Sequence, residues 1–170
     1  MTLPHSPFLR NTRGAAAVEM ALMLPMLVAL LFGGMEGGYY FWSEHRVVKA
    51  VRDGARYAGR QSFDQYNCST QSVTNTTTRD QIKNLTRTGS LDGSGAPLIP
   101  GWVDGNTTVT VTVAPCNTAT ATGLFLTQAS GAVRVTVSAD VPYQSLASSL
   151  GISTAGLRLR GSQQAVVMGL

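Results

Sequence analysis

Ala15 to Gly34 reads AAAVEMALMLPMLVALLFGG, and the reading of the whole chain starts from these twenty residues. As an α-helix they extend about 30 Å, the hydrocarbon thickness of a bilayer. Tyr39-Tyr40-Phe41-Trp42 follows, an aromatic cluster of the kind that settles at the lipid–water boundary. A buried core helix has little reason to end in four consecutive aromatics. A cleavable secretory signal has a shorter apolar core and a small-x-small cleavage site after it, and no such site follows here. The stretch predicts a single-pass transmembrane helix over 15–42.

Charge balance does not orient that helix. Arg10, Arg13 and the α-amine precede it, whereas Arg46, Lys49 and Arg52 follow within the counting window. The positive-inside comparison is nearly a tie. Cys68 and Cys116 both lie beyond the anchor, and an even pair in an exported domain predicts a disulfide. Two unrelated reduced thiols are the alternative. The bridge, if unstrained, would close a long loop and contribute about 4 kcal/mol in the chain-entropy picture. It therefore favours export of the part after Trp42.

Glu19 carries the most information in the anchor. An ionised carboxylate inside a membrane helix costs several kcal/mol, so it must be neutral, snorkelling or paired. Its setting is Arg13-Gly14-Ala15-Ala16-Ala17-Val18-Glu19-Met20. This resembles the class III signal peptides of type IV pilin-like proteins, in which a prepilin peptidase cuts after a Gly and a Glu lies fifth in the mature chain. The resemblance implies a leader over 1–14, a cut between Gly14 and Ala15, and Glu19 as the subunit-assembly carboxylate. The new Ala15 ammonium would neutralise the Glu19 carboxylate of a neighbouring subunit. The plainer alternative is a Glu near a helix start, placed well for the helix dipole and reaching the headgroups.

The longer stretch RGAAAVEMALMLPMLVALLFGGMEGGYYFW resembles the TadE-like pattern, a Gly/Ala-rich start running into V-E, apolar residues, A-L and then L-P. Pro25 would be eleventh after the cut, earlier than the kinking proline of classical type IV pilins. Met20 stands where the major Flp pilins commonly carry Tyr, and the chain is much longer than those pilins. Both departures imply a minor, TadE-like component. The resemblance is specific over roughly 13–60 and general beyond. Small residues at Ala17, Ala21, Ala29, Gly33 and Gly37 recur at four-residue spacing and would permit close helix packing. Glu36, beside the aromatic cluster, reads as a carboxylate in the headgroup region.

At 170 residues the length suits an anchor plus one exported domain, expected over 43–170. Only 13% of residues are charged, about half the share usual for a soluble domain, and Thr, Ser, Asn, Gln and Gly supply the polarity. The formal charge of +4 is scattered, densest from Arg46 to Arg60, and there the basic residues directly follow the membrane segment, interleaved with Glu44 and Asp53. That reads as a solvated or headgroup-facing helix and not as a nucleic-acid site.

Helical periodicity continues from Ser43 to Gly59, with Val47, Val48, Val51 and Ala55 on one side. A short helix is expected around Arg79–Arg87, and Thr88 to Gly105 reads as loop. The period then changes to two. Thr107–Val113 and Ala132–Val141 alternate as half-buried strands, with a weaker third from Leu157 to Met168 through Leu157, Leu159, Val166 and Val167. Leu146 and Leu150 suit one helical turn. The expected class is α+β, a long N-terminal helix packed on a small antiparallel sheet in the pilin manner.

No catalytic or phosphate-loop pattern occurs, and no metal or cofactor is expected. Asp92-Gly93-Ser94-Gly95 and Asp104-Gly105 lack the further carboxylates of a calcium loop and read as turns. The sequons at Asn75, Asn84 and Asn106 read as accidents of composition. Two functions stay open. One is a structural pseudopilin of a bacterial tight-adherence (Tad/Flp) pilus, not an enzyme. It would sit in the inner membrane, N-terminus cytoplasmic and C-terminal domain outside. Its partners would be prepilin peptidase, other pilins, Tad assembly-platform proteins and membrane lipid. The other is an uncleaved single-pass binding or sensing protein of the envelope.

Overall fold

The computed structural model of the chain describes residues 13–103, 108–117, 122–151 and 156–169. Most of the expected leader, Arg10 included, lies outside them, as do Asp104, Gly105, Asn106 and Thr107. The chain divides into two units, Met1–Tyr39 and Tyr40–Leu170.

Helix α1 is Arg13–Gly59, unbroken over 47 residues. Its first stretch consists of Ala, Leu, Met and Val, which form helix readily or at little cost. Pro25 lies inside it and removes one backbone donor without ending it. The far end is capped by tertiary structure. Tyr66 Oη donates to the Ala58 carbonyl at 2.7 Å, and Met168 N donates to the Gly59 carbonyl at 2.8 Å. The last carbonyls of a helix need such partners when buried. Burial, and the nearby Tyr57 after it, push the Tyr66 hydroxyl above its ordinary pKa, so it stays a donor.

In the Tyr40–Leu170 unit, Val47, Val51, Ala55 and Ala58 are buried. Val48, expected beside them, is instead 36% exposed. It is one residue past Val47, and a step of 100° carries it off the buried stripe. A two-stranded ribbon follows, β1 (Tyr66–Asn67) against β2 (Ser72–Val73), which the sequence reading did not anticipate. Helix α2 is Thr76–Thr88, three residues longer at its start than expected. Asn75 begins it as N-cap, its side-chain oxygen accepting from Thr77 N at 2.9 Å and Thr78 N at 3.4 Å. Gly89 ends it at φ 79°, its N–H bonded to the Leu85 carbonyl.

The main sheet has three antiparallel strands in the order β3 (Val109–Val113), β4 (Arg134–Pro142), β5 (Arg158–Val166). Val135, Val137, Ala139 and Val141 are buried along β4, so its inner face is that of the odd residues. Val109 and Val113 extend that face on β3, and Leu159 on β5. The expected third strand forms, but Val166 and Leu157 are 40% and 49% exposed while Leu159 and Val167 are buried. Val166 is an even residue and turns to the other side of the sheet. Leu146–Leu150 is a short 3₁₀ turn.

Gly161 of β5 faces α1 with room for no more than a Cβ in ordinary contact. A Cβ there would lie 3.4 Å from Val47 Cγ1 and 3.5 Å from Val48 Cα. Thr88, expected in the loop, instead ends α2, but the segment Gly89–Val103 is irregular, as expected, and it places Ile99 and Trp102 in the core, Trp102 with no exposed surface. Trp102 Nε1 donates to Thr108 Oγ1 at 2.8 Å, which satisfies the indole as it is buried. The fold is the expected α+β arrangement of one long helix and small antiparallel sheets.

Candidate assembly segment

Gly14 and Ala15 lie in the first turn of α1, and Glu19 follows little more than one turn later, about 7.5 Å along the axis. Every residue from Gly14 to Met35 is exposed, Leu22 by 73% and Leu31 by 68%. An apolar surface on all sides of a helix is favourable only in an apolar solvent or under other protein. The helix is long and apolar enough to cross a membrane. Glu19 therefore sits on a surface otherwise built of Val18, Met20, Leu22 and Met23.

Ala17, Ala21 and Ala29 are exposed along the same helix, with Pro25 between them. At Gly33 and Gly37 an added Cβ would meet nothing within 4 Å. Among the described residues nothing requires glycine at either place. A stride of four drifts about 40° per step on a 3.6-residue helix, so these positions wind gradually around it.

Cys68, just after β1, is joined to Cys116, after β3, with the Cα atoms 4.9 Å apart. The bridge spans 48 residues and ties the β1–β2 ribbon to the main sheet. It is the pairing expected from the isolated even count. On β5, Arg158 donates to Asp140 through Nε and, through Nη2, to the Asp140 carbonyl at 3.1 Å, while Arg160 Nε reaches Asp140 Oδ2 at 3.2 Å. The Arg158 hydrogen bond, ahead of the charges of both arginines, holds the Asp140 carboxyl below its ordinary value. Asp92 is held at about 2, mainly by hydrogen bonds from Ser90 and Ser94, which make its Gly/Ser loop a closed turn. Among the described residues no group of three His, Cys, Asp or Glu side chains is placed to hold a metal.

The sequence reading took the basic residues from Arg46 to Arg60 as a solvated or headgroup-facing helix. In the structure Arg46, Lys49, Arg52 and Arg56 are exposed on α1, and Arg60 is exposed just past its end. Their three- and four-residue spacing was the signal that would have placed them on one face.

No curated protein and no solved structure matches the chain. Residues 14–56, which lie within α1, match the family model described as TadE-like protein, so this stretch of the helix is similar to TadE-like proteins.

Proposed function

We propose that the chain is a structural pseudopilin or minor pilin of a bacterial tight-adherence pilus system, serving pilus biogenesis and adherence. A prepilin peptidase removes Met1–Gly14, and residues 15–42 hold the protein in the inner membrane. The domain over 43–170 stands outside the cytoplasm, where the Cys68–Cys116 bridge is stable. Assembly then proceeds by helix packing against other pilins and the Tad platform proteins. Ala17, Ala21, Pro25, Ala29, Gly33 and Gly37 are the helix-packing positions.

The observation that supports this best is the start of the family match at Gly14, with Glu19 five residues on. Cleavage after Gly14 removes Arg10 and Arg13 and frees the Ala15 ammonium at the lipid boundary. A Glu19 carboxylate on a neighbouring helix can then accept a charge-assisted hydrogen bond from it.

Mass spectrometry of the protein from envelopes that make the pilus is the test. The mature chain is expected to begin at Ala15. Glu19→Gln should be processed and inserted but poorly incorporated into partner complexes, whereas a bulky residue at Gly14 should leave the precursor uncut. An intact leader alongside normal pilus-dependent adherence would replace this reading with the uncleaved single-pass binding protein.

A further inference from the structure

On the Tyr40–Leu170 unit, helix α1 presents Arg46, Lys49, Arg52 and Arg56, all exposed, and exposed Arg60 follows just past its end. Steps of three and four residues keep the four helical cations within about 120° of arc, on a strip about 15 Å long that Arg60 extends. Asp53 lies on the same strip, its Oδ1 3.7 Å from Arg56 Nη1. Arg46 stacks on the Trp42 ring, 4.9 Å from its centre. Among the described residues no carboxylate lies within 4 Å of Lys49, Arg52 or Arg60. Like charges at these spacings oppose helix formation, so the strip is a cost to the isolated chain. Beside it opens a cavity of about 310 Å³, lined by Arg46, Lys49 and Asp53 together with apolar Ala50, Leu85 and Leu98.

We propose that this strip is a docking surface for an acidic partner protein, which lays carboxylates along α1 and sets an apolar side chain in the adjoining cavity. A second copy of the chain is a poor occupant. Beyond Arg60 it offers six cations against five carboxylates, and Asp80 and Asp140 already face arginines of their own. An anionic bilayer is a poor occupant too. For a helix entering end-on with Trp42 at the boundary, Arg46 and Lys49 lie about 6 and 10 Å further along, and Arg56 about 21 Å. With a screening length of about 8 Å at physiological salt, headgroups act on the first two alone. The length of the strip fits a protein face.

The inference deepens the proposed assembly role by naming the partner's chemistry, and it does not depend on leader cleavage. A photo-crosslinking amino acid at His45, within the strip but not one of its cations, is introduced into the full chain in cells that make the pilus. The expected adduct is to a different protein. It should fall at least about tenfold in Arg52→Glu/Arg56→Glu/Arg60→Glu. It should return when carboxylates at the crosslinked site of the partner are replaced by Lys. The milder Arg52→Gln/Arg56→Gln pair, which leaves the fold's buried groups untouched, should weaken the adduct in the same direction.

An adduct only between two copies, only with phospholipid, none at all, or one unchanged in both variants would each overturn the proposal. N-terminal mass measured in the same samples separates the two readings. Normal processing without the charge-dependent adduct removes the docking surface alone, and the adduct on an unprocessed chain removes the pseudopilin alone.

Discussion

Between Gly14 and Met35 every residue of α1 is exposed, Leu, Met and Phe included, whereas from Ser43 to Gly59 the same helix buries Val47, Ala50, Val51, Ala55 and Ala58 and exposes charges. One stretch is apolar on all sides and the other on one side only. The first pattern suits a helix whose solvent is lipid, and the second a helix whose partner is a sheet. A continuous backbone thus carries two sets of instructions, and they predict different responses to the same substitution.

The largest contrast should come from truncating apolar side chains. Trp102→Ala removes a fully buried indole and its hydrogen bond to Thr108, and should cost about 3–5 kcal/mol. Leu31→Ala removes a side chain that the chain itself leaves exposed, and should change stability by less than about 0.5 kcal/mol. Urea unfolding of the full-length protein in detergent, followed by tryptophan-independent far-UV signal from the sheet, makes the comparison. Equal losses from the two variants would end the division of labour described above.

A sharper version uses one substitution at two glycines of α1. At Gly54 an added Cβ would overlap Thr86 Oγ1, and Thr86 cannot give way because it is fully buried and bonded to the Ile82 carbonyl at 2.7 Å. Gly54→Ala should therefore destabilise by about 1–3 kcal/mol through overpacking of α1 against α2. Gly33 has open space where the Cβ would go, so Gly33→Ala should leave the fold intact and gain up to about 1 kcal/mol of helix propensity. Thermal melts of both variants check the opposite signs. If Gly33→Ala also blocks incorporation into partner complexes without loss of stability, its glycine serves contact between chains.

Much of this was legible because it is periodic. The apolar run announces α1, and alternate valines announce β3 and β4, since burial on one face leaves a repeat in the sequence. What was not legible depends on contacts distant in the chain. Trp102 and Ile99 lie in a Gly/Ser/Pro-rich segment with no period, and only the sheet and helices around them make it core. Asn75 reads as one more polar residue in a Thr-rich run until its side chain is seen capping α2. Val48 and Val166 were placed on buried faces one residue out of phase, an error that β-branched pairs such as Val47-Val48 and Val166-Val167 invite. The roles proposed for Gly14 and Glu19 rest on a motif, and they would belong to chemistry between chains that a single fold does not contain.

The smallest expected effect is a pH dependence inside the Tyr40–Leu170 unit. Asp140 receives hydrogen bonds from Arg158 and Arg160 across β4 and β5, and its folded pKa lies below the ordinary 3.8. A depressed carboxyl stabilises the fold at pH above its unfolded pKa, and that contribution is lost as pH falls through the folded value. Loss should therefore begin near pH 4 and continue below it. Asp140 is 44% exposed and Arg160 72%, so solvent screening keeps the contribution under about 1 kcal/mol. Asp140→Asn should be slightly less stable than the unaltered protein at neutral pH. The gap should close as acid protonates Asp140, because both chains then lack the charge. Equilibrium unfolding at a series of pH values, read on the sheet signal, follows that convergence. A gap that persists undiminished well below pH 3 would show that the asparagine acts through packing, and that the arginines on β5 stabilise the strand pair without help from the carboxylate charge.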